Sequence, residues 1–366
     1  MRLDRIEVEG FKSIGSMGLE LSAINLLVGA NGAGKSNFVG ALSLLGELVE
    51  GRLQLAVARA GGASSLLHHG PKRTPAMRIE VRSGANRYMA RLAYAPQDKL
   101  FFEDERAWGQ GVRYSAPFEV PMGSGHDETR LQAEARAHPG GVCAWVLARV
   151  RQWRLYHFHD TSPMAPVKQK GRIDDNALLR PDAGNLAAFL YRLREASDGA
   201  GAYQRVVASI RQVAPFFDDF VLRPDPVRPD LIQLEWTERG SDAYFNAHSF
   251  SDGTLRYVCL ATLLLQPSPP SLVLIDEPEI GLHPFAITQL AAMLESAATR
   301  TQLLVATQSV TLMNQFSPDV VIVVDRRDGQ STFQRLQAAE IASWTDEYSL
   351  GELWEKNVLG GRPQRG

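Results

Sequence analysis

Two cysteines, Cys143 and Cys259, are all that this chain of 366 residues contains, and they lie in apolar segments without a second Cys or a His at metal-ligand spacing. A disulfide framework and a thiolate metal centre are both excluded, and a reducing cytoplasm is the expected compartment. No apolar run approaches the roughly 20 residues of a membrane-spanning helix, so no membrane association is expected. The chain starts Met1, Arg2, Asp4, Arg5 in place of an apolar leader. Charge of one sign is also lacking: 39 Lys and Arg against 41 Asp and Glu give a net charge of −2, without the bulk signature of a nucleic-acid binder. Internal repeats and low-complexity stretches are absent. No heptad pattern persists for three or four repeats, which excludes a long coiled coil. What the chain does have is 45% hydrophobic residues, enough for one large domain or two intimate ones.

The string GANGAGKS at residues 29–36 fits the phosphate-loop pattern at every fixed position: Gly29, four residues, Gly34, Lys35, Ser36. Such a loop must join a strand to a helix. Ile24, Leu26, Leu27 and Val28 precede it as a buried-strand run, and Phe38, Leu42, Leu45, Leu48 and Val49 follow at helical spacing. Backbone N–H groups of the loop and the helix N-terminus are then aimed at phosphate oxygens. Lys35 reaches the β and γ phosphates, and the Ser36 hydroxyl is offered to Mg²⁺. Gly29, Asn31, Gly32, Ala33, Gly34, Lys35, Ser36 and Asn37 are the candidate nucleotide contacts, with ATP and Mg²⁺ as the expected cofactors.

A second string, LVLIDEPEIGLHP at 272–284, is an apolar strand ending in two adjacent carboxylates. Strand alternation is expected to send Asp276 and Glu277 in different directions. Asp276 is assigned to the metal shell, and Glu277 to polarising the attacking water. ATP hydrolysis is the activity these two strings imply.

Between them lies SFSDGTLRYV, residues 249–258. By itself it is a helix start, with Ser251 or Asp252 as N-cap before Leu255, Val258, Leu260 and Leu263. Together with the phosphate loop and the acidic strand, it resembles the signature motif of ATP-binding-cassette ATPases in the form found in the RecF, SMC and OLD branch. The resemblance implies that Ser251 and Gly253 contact ATP held by an opposite subunit; Asp252 and Thr254 depart from the family's residues. It also implies a switch residue after the apolar strand Leu303–Ala306. Relatives carry histidine there and this chain carries Gln308, which can donate to phosphate but holds no charge.

The fold implied is α/β, a P-loop NTPase head of ABC type with an antiparallel β-subdomain and a mainly helical insertion. Expected segments are 1–126 with the phosphate loop and β-subdomain, 127–247 with the insertion and returning strands, and 248–366 with signature, acidic strand and switch strand. The implied assembly is a homodimer closed by ATP that acts on a separately encoded effector or nuclease, in DNA repair or defence against phage. About 30 residues follow the last expected strand, too few for the Toprim nuclease fused in OLD-type proteins. Two competing classes are the nucleotide-binding subunit of a membrane transporter and a non-catalytic nucleotide switch. The first fits poorly with Gln308 and with more than 200 residues between phosphate loop and signature.

DNA is a further candidate ligand on local charge. Lys72, Arg73, Arg78, Arg82, Arg87 and Arg91 face only Glu80 in residues 71–91, and Arg149, Arg151 and Arg154 interleave with Trp145, Trp153 and Tyr156. Residues 77–95 read as a hairpin turning near Gly84–Asn86, followed by Gly- and Pro-rich loops. The acidic clusters Glu103–Glu105, Asp174 with Asp175, and Asp218 with Asp219 read as solvated turns. Candidate effector surfaces are 127–215 and Trp344–Leu359, whose Trp344, Leu350, Leu353, Trp354 and Leu359 either dock a partner or pack on the chain itself.

Overall fold

A computed structural model describes residues 2–110, 118–345 and 347–361. The chain folds into two compact units, one of residues 1–153 with 317–366 and one of residues 154–316. These bounds differ from the three expected segments because the chain leaves the first unit and returns to it.

In the first unit, β1 (Arg5–Phe11) and β2 (Ile14–Glu20) form a hairpin, and β3 (Ile24–Val28) leads into α1 (Lys35–Val49). All five residues of β3 are buried, as a strand flanked on both faces requires. Helices α2 (Leu53–Arg59) and α3 (Ala63–Leu66) precede β4 (Ala76–Ser83), β5 (Asn86–Ala95), β6 (Lys99–Gly109) and β7 (Phe118–Gly123). They make a six-stranded antiparallel sheet in the order β2-β1-β4-β5-β6-β7. The hairpin turns at Gly84–Ala85 as expected, but β6 occupies a stretch read as loop. Its pattern escaped detection because charged residues fill it. α4 (Leu131–Ala137) and α5 (Val142–Val150) close this part.

Two charge readings change. Arg78, Arg82 and Arg87 converge on the buried carboxylate of Glu80, Arg78 also pairs with Glu7 and Glu9, and Arg91 pairs with Glu103. Cross-strand register, invisible to a count along residues 71–91, supplies those carboxylates. Arg151 likewise pairs with Glu50, and Arg149 lies over the Trp145 ring. The second change concerns the acidic clusters. Glu103–Glu105 lie in β6, and Glu105 is fully buried, accepting from Tyr88 Oη at 2.7 Å, His126 Nε2 at 2.8 Å and the Arg130 N–H at 3.0 Å.

The second unit begins with β8 (Trp153–Tyr156), one residue of which precedes it, and β9 (Gly171–Arg172). α6 (Leu186–Glu195) and α7 (Ala200–Val213) bury their apolar faces. Asn185 precedes α6, yet its side chain bonds the backbone of Asp175, Leu178 and Arg180 instead of capping the helix. β10 (Phe217–Val221), β11 (Leu231–Ile232), β12 (Glu235–Glu238) and β13 (Tyr244–Asn246) follow. Asp218 and Asp219 therefore sit in a strand, Asp219 accepting from Tyr203 Oη at 2.6 Å. α8 (Asp252–Leu265), β14 (Leu272–Asp276), α9 (Pro284–Ala297), β15 (Gln302–Thr307) and α10 (Val310–Met313) complete the unit. β14 and β15 pair in parallel, with β8 on the other side of β14.

The chain then returns to the first unit as β16 (Val321–Arg327) and β17 (Gln330–Arg335), a hairpin turning at Asp328–Gly329, with β16 parallel to β3. α11 (Ala338–Thr345) and α12 (Leu350–Glu355) follow; Leu350 and Leu353 are buried while Trp344 is 48% exposed.

Candidate functional site

The phosphate loop occupies the turn from β3 to α1. Gly29 is buried, and a Cβ there would lie 2.2 Å from the Val324 carbonyl oxygen, so only glycine fits beside β16. Gly32 and Gly34 hold φ of 79° and 122°, a backbone L side chains rarely adopt. Gly34 also lies so close to Ser331 that an added Cβ would meet Oγ at 2.0 Å. Ser331 braces the loop from β17: its Oγ donates to the Ala33 carbonyl at 2.6 Å and meets Ser13 Oγ at 2.6 Å. Asn37 Nδ2 donates to that same Ser13 Oγ at 2.6 Å. Lys35 is buried, with Nζ donating to the carbonyls of Gly29 at 2.5 Å and Ala30 at 3.2 Å. Asn31, Gly32 and Ser36 are exposed on the rim of the loop. The Ala30 N–H donates to the Gly361 carbonyl at 2.9 Å.

In the second unit, Asp276 is the last residue of β14. Glu277 lies past the strand with φ 43°, so its carboxylate is set by a left-handed backbone turn and not by strand alternation. Such a conformation costs on the order of 1–3 kcal/mol for a non-glycine residue and is found where a site holds it in place. Gln308, just after β15, donates from Nε2 to Glu277 Oε1. Glu279 secures the arrangement from below: Oε1 accepts from Thr307 Oγ1 and from the Gln308 N–H at 3.1 Å. Burial is the largest influence on Glu279 and raises its carboxyl above the ordinary value. Sequence reading missed Glu279, although its spacing from Glu277 within the EPE string was visible.

Ser251 is the N-cap of α8, its Oγ accepting from the Thr254 N–H at 3.2 Å, and Ser251 and Asp252 are exposed. Gly253 packs so that a Cβ would lie 2.2 Å from the Gly281 carbonyl oxygen. Arg256, one turn on, donates to the carbonyls of Phe158 at 3.2 Å, His159 at 2.9 Å and Ile280 at 3.0 Å. His157 and His159, also missed in the sequence, bring ring nitrogens within 4.8 Å of each other and of an Asp276 oxygen.

The first unit carries a phosphate cradle, and the second carries a carboxylate pair with an amide partner. The family described as "AAA domain, putative AbiEii toxin, Type IV TA system" matches residues 132–314, half of the chain, and the chain belongs to that family. A family described as a protein of unknown function matches residues 1–50. Among solved structures, the Smc head bound to the C-winged helix domain of ScpA aligns at 15% identity and a TM-score of 0.60, covering 94% of this chain and 100% of that one. A Pyrococcus furiosus Smc head with an extended coiled coil, bound to the C-terminal domain of ScpA, aligns at 16% identity and 0.56, covering 94% and 99%. A Pyrococcus yayanosii Smc head with a coiled coil and joint aligns at 14% identity and 0.51, with the same coverage. No curated protein matches the sequence. The fold is that of a P-loop ATPase head of the SMC and RecF-like branch. No helix among the described residues is long and apolar enough to cross a membrane.

Proposed function

We propose that the chain binds and hydrolyses Mg-ATP, and that ATP closes a homodimer which drives a separately encoded effector. The observation that carries this reading is the phosphate cradle, in which glycine-only positions and the Ser331 brace fix a loop around the Lys35 ammonium. In this reading the loop amides and Lys35 hold the β and γ phosphates. The Ser36 hydroxyl and the Asp276 carboxylate are the hard oxygen donors that Mg²⁺ takes. The bound ion would neutralise phosphate charge. Glu277 accepts a proton from the attacking water, and Gln308 keeps its carboxylate oriented. The exposed Ser251 at the start of α8 serves the nucleotide of the second copy, with Gly253 beside it.

The family description, with its reference to a toxin of a toxin–antitoxin system, and the ScpA-bound Smc heads support a partner-dependent machine. The test is light scattering and phosphate release on the purified chain and its Glu277→Gln variant. The variant should bind ATP, double in mass with it and turn over at least about 10²-fold more slowly. Unchanged hydrolysis would remove Glu277 as base, and unchanged mass would remove the dimer. Ser251→Arg should bind ATP normally yet neither dimerise nor hydrolyse it.

A further inference from the structure

Directly after β8, the chain runs His157, Phe158, His159. Phe158 is buried, 8% exposed, and the two imidazoles on either side of it stand 6.1 Å apart between ring centroids. One ring nitrogen of each and one Asp276 oxygen all lie within 4.8 Å of one another. The three belong to strand ends that β8 and β14 bring side by side.

We propose that His157, His159 and Asp276 form a binding site for a borderline divalent cation of the zinc class. Two imidazoles and one carboxylate are the donor set that zinc takes with three protein ligands and at least one open position. The same set disfavours Mg²⁺, which prefers oxygen ligands alone. Bonds of about 2.0–2.2 Å at tetrahedral angles place ligand atoms about 3.3–3.6 Å apart around a common ion, so side-chain shifts of about 1–1.5 Å close the triad.

The scaffold holds the ligands in advance. The His157 N–H donates to the Pro181 carbonyl at 3.0 Å. The Arg256 guanidinium bonds the carbonyls of Phe158 and His159 on one side and of Ile280, beyond Asp276, on the other. One side chain of α8 therefore ties the histidine segment to the loop after the carboxylate, as supporting contacts around metal ligands do. An open coordination position has room for about one water: His159, Asp276 and Glu277 line a small pocket of about 10 Å³ with Arg256 and Phe158.

The consequence for regulation rests on the proposed role of Asp276 in Mg-ATP engagement. Zinc held by the histidines takes the same carboxylate, so zinc occupancy slows ATP turnover. Removing the histidines abolishes that inhibition.

The experiment separates the two readings. Metal-stripped full chain is titrated with zinc chloride, without nucleotide, against a chromophoric chelator. One zinc per chain is expected, with affinity lowered at least tenfold in His157→Ala and in His159→Ala, and circular dichroism confirms that each variant is folded. His159→Gln, which keeps a polar side chain of similar length, guards against a folding artefact and should lose affinity equally. Lys35→Ala should bind zinc as the wild type does. Absence of a zinc site in the folded wild type, or wild-type affinity in the histidine variants, overturns the site. A chain that binds zinc as expected but fails to bind ATP overturns the ATPase reading alone; one that hydrolyses ATP but binds no zinc overturns this site alone.

Discussion

The side-chain amide of Gln308 donates a hydrogen bond to the carboxylate of Glu277. Two residues at the ends of the neighbouring parallel strands β14 and β15 are thus coupled, and the amide stands where relatives are expected to carry histidine. Hydrogen bonds to a charged group contribute about 1.5–3 kcal/mol, which corresponds to roughly 10- to 100-fold in rate when the bond orients a base. Gln308→Ala should lower kcat by that factor with the Kd for ATP unchanged. Steady-state turnover together with equilibrium nucleotide binding decides it, and an unaltered kcat would show that Glu277 needs no orienting partner.

Glu279 gives a pH test. Its Oε2 is shut off from solvent without a hydrogen-bond partner, and burial raises the carboxyl above its ordinary 4.5. An acid whose folded value is raised favours the fold while protonated, and that advantage is lost as pH rises from the unfolded value through the folded one. Glu279→Gln cannot ionise. The melting temperature of the variant minus that of the wild type should therefore grow between pH 4 and pH 8; a difference independent of pH would count against a perturbed Glu279.

Gly253 separates packing from partnership. Its missing Cβ admits the Gly281 carbonyl, so Gly253→Ala should destabilise the ATP-free single chain by about 1–3 kcal/mol in denaturant unfolding. Wild-type stability combined with failure to dimerise would assign this glycine to the opposite subunit alone.

The Ser331 brace should matter for the phosphate loop. Ser331→Ala leaves the Ala33 carbonyl and Ser13 Oγ without that partner, at a cost of about 1–3 kcal/mol. Weaker ATP binding with Lys35 intact is the expected result, measured by calorimetry. Affinity equal to that of the wild type would make the brace irrelevant to the nucleotide.

Both thiols should be silent in the native chain. Burial pushes Cys143 and Cys259 up to about 12, far above neutral pH, so almost no thiolate forms. A thiol reagent at pH 8 should label neither residue until denaturant is added, and rapid native labelling would show that one of them opens to solvent.

The sequence alone determined what lies within about one turn or one strand of itself. Strand β3, the glycines at 29, 32 and 34 and the apolar spacing of α1 specify a phosphate loop because strand, turn and helix are each encoded by their own residues. The cap at Ser251 and the carboxylates closing β14 are local in the same sense. Tertiary structure decided whatever depends on register or on segments far apart in the chain. The arginines of β4 and β5 look like a basic patch until β1 supplies Glu7 and Glu9, and Glu105 looks solvated until Tyr88 and His126 enclose it. Glu277 follows β14 directly in sequence, yet its left-handed backbone and its pairing with Gln308 exist only because β15 packs alongside. His157 and His159 meet Asp276, more than 100 residues away, because β8 lies on the other side of β14. Local propensity fixes which element forms, whereas electrostatic pairing and ligand geometry arise only when strands from distant stretches are laid side by side.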